Sequence, residues 1–403
     1  MAHPLVPDQT NPTRSRDETL RDMAATADAA GLRRIHIATF RDRDHPEAGG
    51  SEEHATQVAH HLHLAGLEIV HHTGAVPGGP AELDRDGVRV VRRGGRLGVF
   101  ATTVVDELSG RLGPRDGLVE VFHGVPFFSP LWARGPRVAL IHHVHLGTWH
   151  HLLPFPGDRV GDAIERHVVP LLYRRATVVT AAASARDEIV DELRLPARNI
   201  SVVPHGIDPR FRPGGSRSAR PRVVAVARMM PQKGLADLVP ILAAVRRRVP
   251  DLEAVIVGDG PQRPEIEQLR RDHDAEDWLE LAGRVDDDEL VVQYQQAWVA
   301  VSASHREGFG LTLTEAAACG TPAVATRIPG HVDAIAEGRS GRLAEGPDEM
   351  ADALVSILTD PAERAALSRG ALEWASSFTW AHSAAGVLDA LVADARRRRT
   401  RRR

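Results

Sequence analysis

Two stretches in the second half of the chain decide the fold: RVVAVARMMPQK at residues 222–233 and VAVSASHREGFGLTLTEAAA at residues 299–318. Each opens with a short run of Val and Ala, which is typical of a strand buried on both faces of a parallel sheet. Each run ends in a polar or glycine-rich loop, and the second loop leads into a helix-forming segment. Strand, loop and helix in this order predict a unit of an open α/β sheet.

The same alternation extends along the rest of the chain. In the second half, strands are predicted at residues 222–227, 253–258, 278–282, 297–303 and 322–325, with helices at 235–248 and 313–318. In the first half, strands are predicted at residues 34–40, 67–72, 117–122, 137–142, 177–181 and 199–203, with a helix at 51–65. This pattern predicts two doubly wound, Rossmann-like α/β domains facing each other across a cleft, with ligands at the carboxyl ends of the strands.

Composition shifts divide the chain into five predicted parts. These are a flexible N-terminal lead at 1–31 with a helix near 17–30, a first domain at 32–204, a linker at 205–221 rich in Gly, Pro, Ser and Arg, a second domain at 222–380, and a C-terminal helix with an Arg-rich tail at 381–403.

Composition also excludes several classes of protein. The 403 residues are 42% hydrophobic and 26% charged, which is ordinary for a globular protein. One cysteine, Cys319, excludes an internal disulfide framework and a cysteine-based zinc site, and we expect it to serve packing. We find no apolar run of the roughly 18 residues that a membrane span needs and no signal-peptide core, so we expect a cytoplasmic protein. A net charge of −4 argues against nucleic-acid binding.

Charged and glycine-rich groups follow four of the predicted strands in the second half. Lys233 is the one lysine among 50 basic residues, which suggests a position where the planar guanidinium of arginine would not serve. The groups, in chain order, are Arg228 and Lys233, then Gly258 and Gly260, then Arg284 and Val285, then Glu307, Gly308, Phe309, Gly310, Leu311, Thr312 and Glu315. Two cations beside a helix N-terminus suit a diphosphate, and the two flanking carboxylates suit hydroxyl groups at its ends. Together they predict a site for a nucleoside diphosphate sugar.

These motifs, with the run AAACGTPAV at residues 316–324, resemble those of the retaining glycosyltransferases of family 4, which have the GT-B fold. The resemblance covers nearly the whole chain and is most specific over residues 223–343. It implies that the second domain binds a nucleoside diphosphate sugar, from UDP or GDP, and that the first binds a hydroxyl acceptor. It implies that Arg228 and Lys233 stabilise the leaving diphosphate, that Glu307 lies by the donor sugar, and that Glu315 binds the ribose.

The resemblance also assigns residues outside the charged loops. It implies that the backbone around Arg284 and Val285 meets the nucleotide base. It places Gly49 and Gly50 in a loop beside the diphosphate and acceptor. The alternative for this loop is a flexible segment before a helix capped by Ser51.

The resemblance also implies that a histidine after the strand at 137–142 touches the donor sugar. Its position favours His145, with His143 second. A segment at 330–333 resembles a longer form of the family motif, and we assign it no role.

No cofactor and no metal are expected. The chain has 21 histidines, and five of them lie close in sequence at His60, His61, His63, His71 and His72. Neither an HExxH motif nor a Cys/His spacing supports a catalytic metal. In the family, Arg, Lys and helix amides take the place of a metal at the phosphates.

Rival functions follow from the same residues. A sugar-nucleotide epimerase or a phosphorylase on this architecture would act without an acceptor alcohol. A dinucleotide-dependent dehydrogenase would need GxGxxG after a first strand, which neither predicted domain shows. A sensor of nucleotide sugars would keep the donor pocket without chemistry.

Three classes of acceptor agree with the sequence: a lipid, a glycan and a small molecule. The terminal RRRRTRRR predicts either a solubilising tail or a peripheral contact with an anionic membrane, where each basic group contributes about 1 kcal/mol.

Overall fold

A computed structural model of the chain describes residues 15–122, 124–146, 149 and 156–402. The chain divides into two units, one formed by the described residues up to Gly206 together with those from Thr379, and the other by Ile207–Phe378. Each unit has its own sheet and hydrophobic core. The α/β class predicted from the alternating pattern is therefore confirmed.

Unit 1 contains an eight-stranded sheet in the order β3-β4-β2-β1-β5-β6-β7-β8. Its strands are β1 (Arg34–Ala38), β2 (Glu68–Thr73), β3 (Glu82–Arg85), β4 (Val88–Arg92), β5 (Gly117–Phe122), β6 (Arg137–Ile141), β7 (Thr177–Thr180) and β8 (Ile200–Val202). All neighbours are parallel except β3 and β4, which pair antiparallel at one edge. The sequence analysis missed this pair because β3 is short, charged and partly exposed, and so lacks the apolar run of a buried strand.

Helices cover the sheet of unit 1. They are α1 (Arg16–Ala30), α2 (Gly50–Leu64), α3 (Gly98–Leu108), α4 (Ser129–Trp132), α5 (Gly157–Ala163), a π-helical turn (Ile164–Val168), α6 (Val169–Tyr173), α7 (Ala183–Glu192), a 3₁₀ turn (Ala197–Asn199) and the C-terminal helix (Trp380–Arg402).

Helix α1 covers residues 16–30 of the segment predicted as an N-terminal lead, close to the helix predicted near 17–30. The side chain of Ser15 accepts from the backbone N–H of Glu18, and the Glu18 carboxylate accepts from the N–H of Ser15. This capping box starts the helix, and Met23 and Ala27 are then buried in the core of unit 1. The amphipathic spacing of this segment is therefore a better guide to its structure than its polar composition.

The C-terminal helix belongs to unit 1, although it follows unit 2 in the chain. It contacts α1 and α2, and Val387, Leu388 and Leu391 are buried in the core of unit 1. The helix continues into the arginine run that was predicted as a tail. There Arg398 pairs with Asp394, and the Arg399 guanidinium donates to the carbonyl oxygen of Ala30 at 2.6 Å.

Unit 2 contains a fully parallel six-stranded sheet in the order β11-β10-β9-β12-β13-β14. Its strands are β9 (Arg222–Val226), β10 (Glu253–Val257), β11 (Leu279–Gly283), β12 (Val299–Ser302), β13 (Ala323–Thr326) and β14 (Gly341–Ala344). Its helices are a 3₁₀ turn (Pro231–Lys233), α8 (Leu235–Arg248), α9 (Arg263–Asp272), α10 (Asp287–Gln296), α11 (Leu311–Ala318), α12 (His331–Ala334), α13 (Pro347–Thr359) and α14 (Pro361–Ala375). The short edge strand β14 was not predicted.

The segment predicted as a linker is irregular but anchored. His205 is buried in unit 1, whereas residues 207–221 pack on unit 2. Arg217 donates to the hydroxyl oxygen of Thr321 at 2.6 Å, and the indole N–H of Trp298 donates to the carbonyl oxygen of Ser218 at 2.8 Å. The missing periodicity of this segment carried no information about these tertiary hydrogen bonds.

The strand orders locate one crevice in each sheet. In unit 2 the chain moves from β9 to β10 and β11 on one side, and then returns to β12 on the other side of β9. In unit 1 the corresponding reversal lies between β1 and β5. Open α/β sheets bind ligands outside the carboxyl ends of the strands at such reversals. In the described part of the chain, no helix has both the length and the hydropathy that crossing a membrane requires.

Candidate functional site

The loops that follow β9 and β12 meet at the strand reversal of unit 2. The N–H of His305 donates to the carbonyl oxygen of Gln232 at 2.9 Å. Gly234 has φ +61°, and a Cβ at this position would lie 2.0 Å from the carbonyl oxygen of Ala303. Only glycine fits so close a contact, and the contact fixes the start of α8 against the β12 loop.

An ion pair between the two loops holds the single lysine. The Lys233 ammonium donates to Oε1 of Glu307 at 2.6 Å, and the two side chains are 19% and 16% exposed. The hydroxyl of Ser304 donates to the same carboxylate oxygen at 3.0 Å. Glu307 thus places the positive charge of Lys233 at the reversal, within reach of solvent.

The carboxylate of Glu307 is also the start of a buried polar chain. Ser302 and Ser304 hydroxyls lie 3.2 Å apart, and the Ser302 hydroxyl lies 3.2 Å from Nε2 of His331. Nδ1 of His331 donates to the carbonyl oxygen of Thr326 at 2.9 Å. Burial lowers the pKa of His331, and the nearby Glu307 carboxylate opposes that shift. The neutral imidazole therefore presents an acceptor to the chain of hydroxyls.

Ser302, Ser304 and His331 were missed as site residues. The sequence analysis noted residues 330–333 as a resemblance without a role. Gly330 has φ +87°, and a Cβ there would lie 2.7 Å from the carbonyl oxygen of Glu307. A glycine directly before a histidine was thus the available signal, but only the fold shows that this turn supports Glu307.

Arg228 lies two residues beyond the end of β9 and is exposed. Among the described residues, none accepts a hydrogen bond from its guanidinium or forms an ion pair with it. The structure therefore provides an uncompensated cation at the same strand edge as Lys233. Such a charge is available for a phosphate ligand.

The glycine-rich loop after β12 opens the N-terminus of α11. Gly310 is the N-cap with φ +90°, and no side chain caps this end of the helix. The first intrahelical bonds run from the N–H of Leu313 and Thr314 to the carbonyl oxygen of Gly310. The amides of Leu311 and Thr312 precede these bonds, and the helix dipole adds partial positive charge there.

Two further residues of this loop differ in exposure. Phe309 is buried and makes an edge-to-face contact with Phe378, with ring centroids 5.6 Å apart. Gly308 is partly exposed. The phenyl ring thus anchors the loop in unit 2 and leaves its backbone at the surface.

Glu315 is the fifth residue of α11, so it lies in the second turn of the helix. The hydroxyl of Tyr294 donates to Oε2 of Glu315 at 3.1 Å. Tyr294 is buried, and burial followed by the Glu315 charge raises its pKa well above the ordinary value. The tyrosine, which the sequence analysis missed, is therefore a neutral donor that orients the Glu315 carboxylate.

The loops after β10 and β11 complete this edge. Gly258 and Gly260 have φ +131° and +158°, and Cβ atoms there would lie 2.0 Å from the oxygen of Ala227 and 2.6 Å from that of Met229. These glycines thus permit close packing between neighbouring loops. Following β11, Arg284 is exposed and Val285 is partly buried.

In unit 1, Gly49 and Gly50 lie at the start of α2. Gly49 is the N-cap, and its N–H donates to the Glu52 carboxylate at 2.9 Å. Ser51 lies inside the helix and donates to the same carboxylate, so the alternative that made Ser51 the cap is wrong. The loop before α2 follows β1, which borders the strand reversal of this unit.

His145 is buried after β6, beside a carboxylate that the sequence analysis missed. The backbone N–H of His145 donates to Oε1 of Glu165 at 3.0 Å, and the ring nitrogen Nδ1 lies 3.7 Å from the same oxygen. The indole N–H of Trp149 donates to Oε2 of Glu165 at 2.8 Å. Glu165 thus holds the His145 segment, while the neighbouring His143 is partly exposed.

Two of the five histidines close in sequence, His71 and His72, contact different side chains. Nε2 of His71 lies 2.9 Å from the hydroxyl of Thr39, and Nε2 of His72 lies 3.1 Å from the Asp106 carboxylate. Among the described residues, the group of histidines whose ring nitrogens do converge is a different one, His54, His142 and His205. Cys319 is buried, and burial raises the pKa of its thiol to about 12, as expected for a packing residue.

Comparison with known proteins agrees with this architecture. Residues 207–374 match the family described as "Glycosyl transferases group 1", and residues 49–206 match the "Glycosyl transferase 4-like domain". A "D-inositol 3-phosphate glycosyltransferase 2" of Catenulispora acidiphila is 30% identical over 403 residues, which cover 88% of this chain and 92% of that protein. The chain belongs to the group 1 glycosyltransferases of family 4.

Other family members match over different lengths. A "GDP-mannose-dependent alpha-(1-6)-phosphatidylinositol monomannoside mannosyltransferase" of Mycobacterium tuberculosis is 30% identical, covering 76% of this chain and 84% of that protein. The chain spans about half the length of two D-inositol 3-phosphate glycosyltransferases that it matches at 36% identity, 53% of one and 56% of the other.

The fold of the family-4 chain is also that of solved structures. A sucrose-phosphate synthase from Thermosynechococcus elongatus superimposes with a TM-score of 0.71 at 20% sequence identity, covering 92% of this chain and 98% of that one. This likeness shows the GT-B fold.

Proposed function

We propose that this chain transfers a sugar from a nucleoside diphosphate sugar to a hydroxyl acceptor, with retention of the anomeric configuration and without a metal at the phosphates. The observation that carries the proposal is the strand edge of unit 2. There the exposed Arg228, the Lys233–Glu307 pair and the uncapped N-terminus of α11 lie on the loops that flank the reversal between β9 and β12.

The cations and amides match the charge that develops as the donor breaks. When the bond between the sugar and the diphosphate breaks, negative charge grows on the departing phosphate oxygen. Arg228, Lys233 and the amides of Leu311 and Thr312 stabilise that charge, and they are oriented before the reaction begins. This arrangement performs the task that a divalent cation has in other phosphate sites.

Retention follows from attack on the same face of the sugar. The acceptor oxygen forms the new bond to the anomeric carbon on the face from which the diphosphate leaves, and the acceptor proton passes to a departing phosphate oxygen. No protein nucleophile is needed. Glu307 lies by the donor sugar. We assign His145 to the positioning of that sugar, and the loop at Gly49 and Gly50 to the diphosphate and acceptor.

Glu315 recognises the ribose of the nucleotide. Its carboxylate accepts from ribose hydroxyls, and the Tyr294 hydroxyl at 3.1 Å holds it in place. The glycine-lined loops at Gly258 and Gly260, with Arg284 and Val285 of the next loop, meet the nucleotide. Of the two expected donors, UDP- and GDP-sugars, a relative named for GDP-mannose supports the GDP-sugar. Relatives named for inositol 3-phosphate and phosphatidylinositol support an acceptor hydroxyl of the inositol class.

The first test is thermal stability with UDP, GDP, ADP and TDP, each with magnesium and with EDTA. A ligand at about 100 times its dissociation constant adds about 2.7 kcal/mol to the free energy of unfolding. We expect one nucleotide to raise Tm equally in both buffers, and Glu315→Ala to abolish the rise. A rise only with magnesium contradicts the metal-independent part, and no rise in wild type or an unchanged rise in Glu315→Ala contradicts the donor site.

The second test measures transfer itself. The matching nucleotide sugars are incubated with inositol phosphate and phosphatidylinositol acceptors, and the anomeric configuration of the product is read by proton NMR. We expect the configuration of the donor to be kept. Inversion would exclude the same-face mechanism, and turnover of donor without any acceptor would favour an epimerase or a phosphorylase.

A further inference from the structure

Three buried histidines of unit 1 converge from separate parts of the chain. His54 lies on α2, His142 follows β6 and His205 follows β8. One ring nitrogen of each lies within 4.8 Å of the corresponding nitrogens of the other two. Their side chains are buried, with residue exposures of 0%, 7% and 4%. The proposed sugar transfer uses none of them.

The spacing of these nitrogens is close to that of a metal site. Nδ1 of His54 lies 2.9 Å from Nε2 of His142. A tetrahedral Zn²⁺ ion with bonds of 2.0–2.1 Å holds its ligand nitrogens about 3.3 Å apart. The ring centroid of His142 lies 5.2 Å from those of His54 and His205, and the His54 and His205 centroids lie 4.2 Å apart, so the three rings surround one small volume.

The outer side of the cluster offers the support that metal ligands usually have. Nε2 of His54 lies 2.9 Å from the hydroxyl of Ser383 on the C-terminal helix. A proton on Nε2 that is donated to this hydroxyl leaves the lone pair of Nδ1 directed toward His142. Such a hydrogen bond, made by the ring nitrogen that does not bind the metal, fixes the tautomer and orientation of a ligating histidine.

The donor set selects the class of metal. The group contains imidazoles and no carboxylate. Three imidazole nitrogens suit Zn²⁺, Cu²⁺ or Ni²⁺, whereas Mg²⁺ and Ca²⁺ prefer oxygen ligands. A three-histidine set leaves a fourth position, which water fills in tetrahedral sites.

We propose that His54, His142 and His205 bind one divalent transition metal ion, with Zn²⁺ the first candidate. The ion ties α2 to the loops after β6 and β8, and its ligands His54 and His142 are 88 residues apart in sequence. Trp380 covers the cluster, with its ring 5.9 Å from that of His54 and 6.1 Å from that of His205. The metal therefore stabilises unit 1 and has no part in binding the diphosphate.

The test uses the full chain after removal of any affinity tag and of bound metal by a chelator. Zn²⁺ is titrated by calorimetry, and Co²⁺ is added as a spectroscopic probe. We expect one ion per chain, a rise in Tm with Zn²⁺, and the intense visible bands of tetrahedral Co²⁺. His205→Gln is expected to weaken Zn²⁺ binding at least 100-fold, and Ser383→Ala about 10-fold.

His71→Gln is the matched control, because His71 is equally buried in unit 1 but lies outside the cluster. It is expected to keep one ion per chain with the wild-type affinity. Equal Zn²⁺ binding by wild type and His205→Gln would overturn the proposal. If His205→Gln fails to fold, the wild-type titration decides, because absent binding or the weak bands of octahedral Co²⁺ would show a purely packed histidine cluster.

Discussion

The carboxyl ends of the strands differ between the two units, although both sheets are doubly wound. In unit 2 this edge carries the exposed Arg228 and the partly exposed pair of Lys233 and Glu307. In unit 1 the corresponding edge, after β6 and β8, carries buried histidines. Burial lowers the pKa of His54 to about 3 and that of His205 well below the ordinary value.

This difference shows how one topology serves two kinds of chemistry. Charged side chains near water attract a polyanion without a large desolvation cost. Burial in unit 1 disfavours charge and keeps the imidazoles neutral. We therefore expect changes at the unit 2 edge to affect catalysis, and changes in unit 1 to affect stability and its dependence on pH.

The largest expected effect is that of Lys233→Ala. Removing an oriented cation at a developing negative charge typically costs 10²–10³-fold in rate, and we expect a loss near 10³-fold, about 4 kcal/mol. The measurement is kcat/KM for transfer, with Tm to confirm folding. Lys233→Arg is the matched control, and we expect it to restore only part of the rate because a planar guanidinium replaces a compact ammonium. A near-normal rate in Lys233→Ala would refute the site.

The second prediction concerns the packing of the unit 2 loops. Gly258→Ala is expected to lower the free energy of unfolding by about 3 kcal/mol, because its Cβ would lie 2.0 Å from the carbonyl oxygen of Ala227 at φ +131°. Gly338→Ala is the control, with φ +71° and open space around the new methyl group. It should cost only about 1 kcal/mol by urea denaturation, for backbone strain alone. Equal losses of unfolding free energy in the two variants would show that the close approach of the loops does not contribute to stability.

The third prediction concerns the buried His71 of unit 1 and the dependence of stability on pH. Burial lowers the pKa of His71 to about 4, and Asp42 opposes this shift while Arg85 and Arg92 add to it. The hydroxyl of Thr39 donates to the carbonyl oxygen of Arg41, so Nε2–H of His71 donates to that hydroxyl.

Because the folded pKa of His71 lies below its unfolded value near 6.5, the unfolded state binds more protons between pH 6.5 and 4. The contribution of His71 to stability is therefore complete above pH 6.5 and is lost as the pH falls toward 4, by about 3 kcal/mol in total. Urea denaturation at pH 7.5 and 4.5 should show a smaller difference for His71→Gln than for wild type. An equal difference in both proteins would assign the acid sensitivity to other groups.

The smallest expected effect is that of Tyr294→Phe. This change removes the hydrogen bond to Glu315 but keeps the carboxylate and the buried ring. We expect nucleotide affinity to fall about 5- to 10-fold, or about 1 kcal/mol, in line with the net value of one hydrogen bond. Calorimetric titration measures it, with Glu315→Ala as the larger reference change. A loss as large as that of Glu315→Ala would mean that Tyr294 itself contacts the nucleotide.

Much of the fold followed from local pattern. The runs at 222–227 and 253–258 and the helix at 235–248 were predicted nearly to the residue, because burial on both faces of a strand and the 3.6-residue period are visible within one segment. The β3–β4 hairpin was missed because it is recognised by its antiparallel pairing at the sheet edge. The hydrophobic pattern of its sequence does not predict that pairing.

The residues of the candidate site also divide into those proposed from the sequence and those missed. Arg228, Lys233 and Glu307 were proposed from the sequence because each follows a predicted strand, and a parallel sheet brings strand ends together. Tyr294 and Glu165 were missed because each supports a site residue from a helical segment that is distant in sequence.

The sequence by itself thus determined the alternation of strands and helices, the family, and the charged groups at the strand ends, since steric period and residue type act over a few neighbouring residues. Only the tertiary structure decided that the C-terminal helix completes unit 1, that Glu307 holds Lys233, and that His54, His142 and His205 meet. Those contacts join residues many positions apart, and their energies depend on burial that exists only once the chain has folded.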